Sequence, residues 1–344
     1  MEFKKQIKKV ELLAPPDFKF EVQEIEYRED PLTNSRSIIN VKRAGRVKQT
    51  QTASLMPETF IKETSNACFF CPGQIEIKTP NLPPHIFAQG KLKRGECILF
   101  PNLYPFAEYH AVATLSREHF LALDQFKPEM LVDNLLLCQE WLLKVYEKDR
   151  EAKYPLYMWN HLPPSAASIV HPHVQVMVRR EPTSMQAELL AKSREYFENN
   201  GQSYWKDLLE EEKSLDERYI GENDSLAVIA SYAPRGFREI QFIFKEASNL
   251  AELDLKQIED FANAVIKVLR SYKQMGVGSF NLCTFSGPIG ERLDYYALNA
   301  KLISRPFPQG IYTNDTGPFE RLQDEWVIET LPEEIARKVK EGFK

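Results

Sequence analysis

Two stretches of the chain repeat one apolar pattern at a fixed offset. Each stretch has apolar residues at successive steps of four, three and four positions. They are Leu131, Leu135, Cys138 and Leu142 in the first stretch and Phe261, Val265, Val268 and Tyr272 in the second. Side chains at this spacing share one face of an α-helix. The pattern therefore predicts two amphipathic helices that pack through equivalent faces.

Strand-like runs flank both predicted helices. Residues 106–115 and 237–244 precede them, and residues 171–178 and 295–304 follow them. The run at 237–244 alternates apolar and polar side chains, which is typical of a half-buried strand. Each half of the chain is thus predicted to run strand, helix, strand. Chance recurrence of such helices is the alternative, but the matched flanks favour a duplication.

The duplication suggests how the chain is divided. We expect a first half at residues 1–184, a charged helical connector at residues 185–223, and a second half at residues 224–344. The polar and basic stretches before residue 67 are expected to wrap the first half. The stretch from Pro332 onward predicts a short exposed helix.

Composition and charge exclude several classes of protein. The 344 residues carry 44 Lys and Arg against 49 Asp and Glu, a formal charge of −5, and 43% are hydrophobic. That apolar content is enough for a sizeable core and argues against disorder. The acidic balance argues against a general nucleic-acid binder. Without an apolar run of membrane or signal-peptide length, and with only five cysteines, the sequence favours a cytoplasmic protein.

The strongest candidate for chemistry is His171-Pro172-His173-Val174-Gln175. Alternation along a strand places the two histidines and the glutamine on one face and the valines on the other. Because Pro172 has no N–H for a ladder, the strand is expected to begin at an edge or a bulge. A row of polar groups on one face of an apolar strand favours a site over a solvated surface.

A second candidate is the pair Cys68 and Cys71, which have the spacing of two zinc ligands. With no second such pair in the chain, two further ligands must come from elsewhere, most plausibly His119 and His171. A redox role remains the alternative, although no thioredoxin-like context surrounds the pair. Four protein ligands would close the coordination shell, so a structural zinc ion is favoured over a catalytic one.

If zinc takes His171, His173 remains free on the same strand face. A neutral imidazole is a good nucleophile towards phosphorus, provided that a hydrogen bond holds its other ring nitrogen. Gln175 could donate an amide N–H to a phosphate oxygen as charge develops. Arg43 and Arg46 could clamp a diphosphate, although an ordinary exposed basic loop explains them equally well.

Taken together, these residues resemble the galactose-1-phosphate uridylyltransferase family of the histidine-triad superfamily. The resemblance covers about residues 28–335. It is strongest at DPLT (30–33), RAGR (43–46), CFFCPG (68–73), SREH (116–119) and HPHVQ (171–175). It implies an α+β fold made of a duplicated histidine-triad-like unit, with two antiparallel-sheet halves and packed helices. It also implies a homodimer and transfer of a nucleoside monophosphate, expected to be UMP, between sugar 1-phosphates.

The resemblance further implies a role for each matching residue. His173 matches the nucleophile that becomes nucleotidylated, and Gln175 matches the amide that steadies the transferred phosphate. The four matches to the ligands of one structural zinc ion are Cys68, Cys71, His119 and His171. The matches to substrate-binding residues are Arg43, Arg46, Asn102, Asn160, Ser168 and Glu320.

Some positions depart from the family's pattern. Asn299 and Lys301 stand where the family often has a second metal-binding histidine pair, so a second metal is not expected. Val174 replaces a glycine after the nucleophile, and Phe319 replaces a tyrosine before the sugar-reading glutamate. These changes leave the sugar and the nucleobase open. A phosphorylase of the same superfamily and a non-catalytic zinc-containing nucleotide-binding protein are the alternatives.

Overall fold

The computed structural model describes residues 1–45, 57–308 and 314–343. The strands are β1 (Lys5–Ala14), β2 (Lys19–Glu29), β3 (Arg36–Ile39), β4 (Leu92–Arg94), β5 (Cys97–Pro101), β6 (Tyr109–Thr114), β7 (Tyr154–His161), β8 (His173–Arg179), β9 (Tyr219–Glu222), β10 (Leu226–Ala230), β11 (Ile240–Phe244), β12 (Ser279–Phe285), β13 (Asn299–Arg305) and β14 (Glu325–Ile328). The helices are α1 (Glu58–Asn66), α2 (Ile75–Lys78), α3 (Pro128–Lys148), α4 (Ser184–Asn200), α5 (Tyr204–Leu215), α6 (Leu255–Gln274), α7 (Pro318–Gln323) and α8 (Pro332–Glu341). None of these helices has the length and apolar character needed to cross a membrane.

Ten of the strands form one antiparallel sheet in the order β4-β5-β6-β8-β7-β12-β13-β11-β10-β9. Read from its two ends towards the middle, this order repeats: β4, β5, β6, β8, β7 from one end and β9, β10, β11, β13, β12 from the other. The halves meet where β7 pairs with β12, with Asn160 opposite Asn281. The predicted duplicated α+β fold is confirmed, and the two halves share one continuous sheet.

Helices α3 and α6 occupy equivalent places in the two halves and pack against each other. All of the apolar positions predicted for their buried faces are buried. Pro128 lies in the first turn of α3, where a missing N–H costs nothing. Asp254 and Gln257 form a capping box at the start of α6, and Gly276 ends that helix with a φ of +76°.

The run at 171–178 folds into β8, whose first residue is His173. Val174, Val176 and Val178 are fully buried on its core face, as predicted. The expectation that this strand begins at a sheet edge or a bulge is wrong, because β8 lies inside the sheet between β6 and β7. Pro172 precedes the strand and takes part only through its carbonyl oxygen, which accepts a hydrogen bond from Leu115 N–H.

The N-terminal strands form a second sheet rather than a wrapping around the first half. Its order is β1-β2-β3-β14, and β14 pairs parallel with β3. Arg28 donates to the Tyr232 carbonyl (3.3 Å) and pairs with Glu333, while Ser37 Oγ donates to the Pro234 carbonyl (2.6 Å). The expectation that the stretch before residue 67 wraps the first half is therefore wrong for these strands, whose contacts tie them to the second half, whereas Thr64 of α1 contacts His119 of the first half.

The stretch predicted as a connector contains α4 and α5 and then the edge strand β9. Trp205 and Leu208 of α5 join Ile243 of β11 in a small apolar core on the sheet face opposite α6. The C-terminal helix α8 is not exposed as expected. Ile335 and Val339 are buried on one of its faces, where α8 packs against α6 and β10.

Candidate active site

Two cysteines and two histidines converge from three parts of the first half. Cys68 and Cys71 lie in the turn after α1, His119 follows β6, and His171 precedes β8. One potential ligand atom from each residue lies within 4.8 Å of all the others. Cys71 Sγ is 3.5 Å from His119 Nδ1 and 3.7 Å from His171 Nδ1. These separations suit a tetrahedral ion, since bonds of about 2.0–2.3 Å place neighbouring ligands roughly 3.5 Å apart.

Each of the two imidazoles is held by a hydrogen bond at the nitrogen that points away from the cluster. His171 Nε2 lies 2.8 Å from the carbonyl oxygen of Ser116, to which it must donate. His119 Nε2 lies 3.0 Å from the hydroxyl of Thr64, which itself donates to the Phe60 carbonyl. The carbonyl fixes the proton of His171 on Nε2, and the same tautomer of His119 lets Thr64 keep its hydrogen bond to Phe60. In this arrangement both rings present the Nδ1 lone pair to the cluster, as metal-ligating histidines do.

The electrostatics of the cluster also suit a cation. Burial lowers the pKa of His171 to about 4, so this imidazole stays neutral and its lone pair remains available. Burial and the neighbouring Cys68 raise the pKa of Cys71 to about 12. A bound cation would reverse that shift by stabilising the thiolates. The four residues could thus hold one metal ion with a shell closed by protein ligands.

His173 stands beside this cluster with its protonation state defined. Its Nδ1 lies 2.7 Å from the carbonyl oxygen of His171, which can only accept, so the proton is on Nδ1. Nε2 then carries the lone pair and has no hydrogen-bond partner among the described residues. The ring is 7% exposed, the edge-on Phe70 ring lies 5.2 Å away, and burial lowers the pKa of His173. The result is a neutral, fixed imidazole with a free Nε2.

Gln175 is oriented by a residue that sequence reasoning did not select. His110 Nε2 lies 2.9 Å from Gln175 Oε1, and His110 Nδ1 accepts the backbone N–H of Phe106 (3.4 Å). His110 therefore donates to Oε1, and Asn102 Nδ2 makes a longer contact of 3.5 Å to the same oxygen. With Oε1 engaged, the NH₂ group of Gln175 is left to act as a donor. The only sequence signal for His110 was its place in the run that became β6.

Asn160 lies on the same face of the ten-stranded sheet as the nucleophile candidate His173. Met158 of β7 pairs with Gln175 of β8, and Asn160 follows Met158 by two residues on the same face of β7, in the direction that leads towards His173 on β8. Asn160 Oδ1 accepts a hydrogen bond of 2.7 Å from Asn281 Nδ2 of β12. Ser168 is exposed on the loop that connects β7 with β8. Strand alternation thus places Asn160 on the face of His173, while Ser168 belongs to the loop that leads to His171.

The remaining candidates have other surroundings. Arg43 is exposed in the short turn Val41–Gly45, and Arg46 lies outside the described residues. Glu320 Oε2 accepts the backbone N–H of Gly317 (2.7 Å) and so caps the start of α7. The contacts of the described residues do not link Arg43 or Glu320 to His173.

The stretch around Asn299 forms polar contacts of its own in the second half. Asn299 Oδ1 accepts from Gln241 Nε2 (3.2 Å), and its amide donates to the Ala297 carbonyl (3.1 Å). Lys301 pairs with the buried carboxylate of Glu239 at 2.8 Å. These residues thus form an amide network and an ion pair at the place equivalent to the histidine strand.

Comparison with known proteins gives relatives by sequence and by structure. No protein-family model matches the chain. An uncharacterized protein from Archaeoglobus fulgidus is 34% identical over 347 residues, which cover 99% of this chain and 98% of that protein. An ADP-glucose phosphorylase from Arabidopsis thaliana, solved with bound ADP-glucose, superposes with a TM-score of 0.71 at 20% identity, covering 92% of this chain and 99% of that one.

Two further solved structures are similar. A GalT-like protein from Arabidopsis thaliana gives a TM-score of 0.70 and a uridylyltransferase gives 0.68. Each is 19% identical and covers 92% of this chain and 98% of its own. At such identities the structures establish the fold, while the archaeal relative establishes the family. The chain therefore belongs to one family with the Archaeoglobus fulgidus protein and has the fold of the GalT-like uridylyltransferases and ADP-glucose phosphorylase, as its motifs predicted.

Proposed function

We propose that the protein is a nucleotidyltransferase that carries a nucleoside monophosphate, expected to be UMP, on His173 between sugar 1-phosphates. One observation carries the proposal: the hydrogen bond of 2.7 Å between His173 Nδ1 and the His171 carbonyl oxygen. It fixes the proton on Nδ1 and leaves the Nε2 lone pair for attack on phosphorus. The lowered pKa of His173 keeps the ring neutral before the attack.

The reaction runs in two displacements at one phosphorus atom. In the first, His173 Nε2 attacks the α-phosphorus of a nucleotide sugar, and the bond to the bridging oxygen breaks. Sugar 1-phosphate leaves with that electron pair, and the nucleoside monophosphate remains bound through a P–N bond. In the second, a phosphate oxygen of another sugar 1-phosphate attacks, and the electron pair of the P–N bond returns to Nε2. The Nδ1 proton stays on the ring throughout, held by the His171 carbonyl.

The surrounding side chains supply contacts to the substrate. The NH₂ group of Gln175 donates to a non-bridging phosphate oxygen as negative charge develops there. The engagement of Gln175 Oε1 by His110 supports this role, because it turns the donor side outward. The further residues proposed to contact the nucleotide, its phosphates or the sugar are Arg43, Arg46, Asn102, Asn160, Ser168 and Glu320.

We propose that Cys68, Cys71, His119 and His171 hold one zinc ion per chain. Two thiolates and two imidazoles are a common ligand set for structural zinc. When bound, the ion would supply a cross-link between the turn after α1 and the loops that carry the histidines. That cross-link would fix the backbone of His171, whose carbonyl oxygen accepts the hydrogen bond from His173 Nδ1. A homodimer, and the division at residues 184 and 223, remain part of the proposal.

Labelling of the nucleophile tests the proposed reaction. Wild-type protein incubated with UDP-glucose labelled in the α-phosphate should carry the label on His173, located by mass spectrometry of peptides. The His173→Ala variant should carry none. His85→Ala is the matched control, because His85 is an exposed histidine of the same half and should leave labelling unchanged. Label on another residue, or no label with either UDP- or ADP-sugars, would contradict the proposal.

A phosphorylase that uses inorganic phosphate as the acceptor is the second candidate. It is favoured by the position of Glu320, whose carboxylate caps its own helix through Gly317 N–H and so is already engaged. The labelled enzyme should then be discharged by phosphate faster than by galactose 1-phosphate. Discharge by the sugar phosphate alone would leave the transferase as the proposed activity.

A further inference from the structure

The side chain of one asparagine forms hydrogen bonds across the pairing of β7 with β12, where the two halves meet. Asn281 of β12 lies opposite Asn160 of β7 in the strand pairing. Its Nδ2 donates to Asn160 Oδ1 (2.7 Å) and to the backbone carbonyl of Ser165 (2.8 Å). Because Asn160 Oδ1 accepts from a fixed donor, the NH₂ group of Asn160 must point the other way. The second half thereby sets the orientation of an amide in the first half.

The orientation of Asn281 is itself determined by charge. Arg305 Nη1 donates to Asn281 Oδ1 (3.1 Å), and Asp315 pairs with Arg305 Nη2 at 2.6 Å. The side chains of Arg305 and Asp315 are 15% and 8% exposed. A flipped Asn281 amide would turn its N–H groups towards the guanidinium and its oxygen towards two other oxygens. All three hydrogen bonds would be lost at once, so only one orientation is stable.

The contact with Ser165 supports an irregular loop. Leu162 and Ala166 both have a φ of +70°, a region that side-chain-bearing residues seldom adopt and that neighbouring structure must maintain. Ser165 Oγ donates to the Leu162 carbonyl (2.7 Å), and Asn281 holds the Ser165 carbonyl from the opposite strand. The same loop continues through Ser168 to the zinc-ligand candidate His171. Asn281 thus supports both Asn160 and the loop beside it.

We propose that Asp315, Arg305 and Asn281 form a positioning relay through which the second half presents the NH₂ group of Asn160 to a phosphate oxygen on His173. The proposal rests on the proposed nucleotidyl transfer. None of the three relay residues contacts the substrate, and each acts through the next. The second half, which carries no histidine, then contributes to the site by orienting Asn160.

Single-turnover labelling with α-phosphate-labelled UDP-glucose tests the relay. Asn281→Ala should slow the labelling of His173 by about 10- to 100-fold, less than the roughly 10²- to 10³-fold lost when a donor to a developing oxyanion is removed outright, because Asn160 keeps its NH₂ group and loses only its fixed orientation. Asn281→Asp should be similarly slow, because its carboxylate still accepts from Arg305 but cannot donate to Asn160 Oδ1. Binding of UMP should change by less than about threefold, since the contact strengthens only as charge develops.

Two comparisons distinguish positioning from general damage to the fold. Adding Asn281→Ala to Asn160→Ala should slow labelling no further than Asn160→Ala alone, because both act through one donor. Arg305→Met should slow the labelling of His173 as Asn281→Ala does, whereas Arg235→Met should not slow it. Arg235 is a comparably buried arginine of the second half, paired with Asp324 at 2.5 Å, and its contacts do not reach Asn160.

The outcomes also separate this relay from the proposed function. Labelled wild-type protein together with full-rate Asn281→Ala or Asn281→Asp variants would overturn the relay and leave the transferase proposal standing. Independent, multiplicative losses in the Asn160 and Asn281 double variant would overturn it as well. Failure of the wild type to become labelled would instead remove the transferase proposal, and the relay would fall with it.

Discussion

Replacing Gln175 separates two roles that its amide has in this site. Gln175→Leu removes the acceptor of the His110 N–H, and His110 is only 5% exposed. A buried donor left without a partner costs about 1–3 kcal/mol of folding stability. The same change removes the NH₂ group that is proposed to donate to the phosphate, which is expected to slow nucleotidylation by roughly 10²- to 10³-fold.

Gln175→Glu is the informative companion variant. Its carboxylate still accepts from His110 Nε2, so most of the folding stability should be retained. It has no donor for the phosphate and adds a negative charge beside it, so the rate should fall at least as far as in Gln175→Leu. Urea unfolding gives the stability, and quenched single-turnover labelling of His173 gives the rate. A Gln175→Glu variant as fast as wild type, or a Gln175→Leu variant of unchanged stability and rate, would refute this reasoning.

Three further predictions concern the metal cluster and the charged core. Cys71→Ser should lower bound zinc from about one ion per chain to near none, measured by metal analysis, and lower the melting temperature with it, because a closed structural site loses a ligand. Burial raises the pKa of Glu212 from 4.5 to about 7, so the folded chain holds this proton more tightly than the unfolded chain. The free energy of unfolding should therefore fall as the pH rises through about 7. In Glu212→Gln the urea midpoint should depend less on pH between about pH 5 and 8. Glu333→Gln should lower the free energy of unfolding by about 3 kcal/mol in urea titrations, because Arg28 and Arg218, each 2% exposed, would lose the carboxylate that they share.

The local sequence pattern was sufficient to predict which faces of individual helices and strands are buried. The buried faces of α3 and α6 follow from helical spacing, and the inward valines of β8 follow from alternation. The central strands β7 and β12 were not predicted. Neither has a motif of its own, and their pairing joins residues that are distant in the chain. The buried face of α8 was missed for a related reason, since a short charged helix does not reveal what it packs against.

The residues of the candidate site could likewise be predicted in part from the sequence. The cluster of Cys68, Cys71, His119 and His171 could be proposed from residue type and spacing, and the structure brings the four together. The orientation of each side chain could not be proposed from sequence. The hydrogen bonds of His110 and Asn281 depend on strand register, which places them beside Gln175 and Asn160. A register between distant strands leaves no local signature in the sequence.

The joint between β7 and β12 has a consequence for the newly made chain. Asn281 lies 121 residues after Asn160, so β7 leaves the ribosome long before the strand that will cover its free edge. At about 5–20 residues per second, roughly 6–24 seconds pass before that partner has been synthesised. During this interval a growing chain exposes an open strand edge, Tyr154–His161, next to a first half that has already been translated. The unpaired N–H and C=O groups of such an edge can form hydrogen bonds with the strands of other nascent chains. Slower translation or a truncated message should therefore favour aggregation over a stable, separate first half.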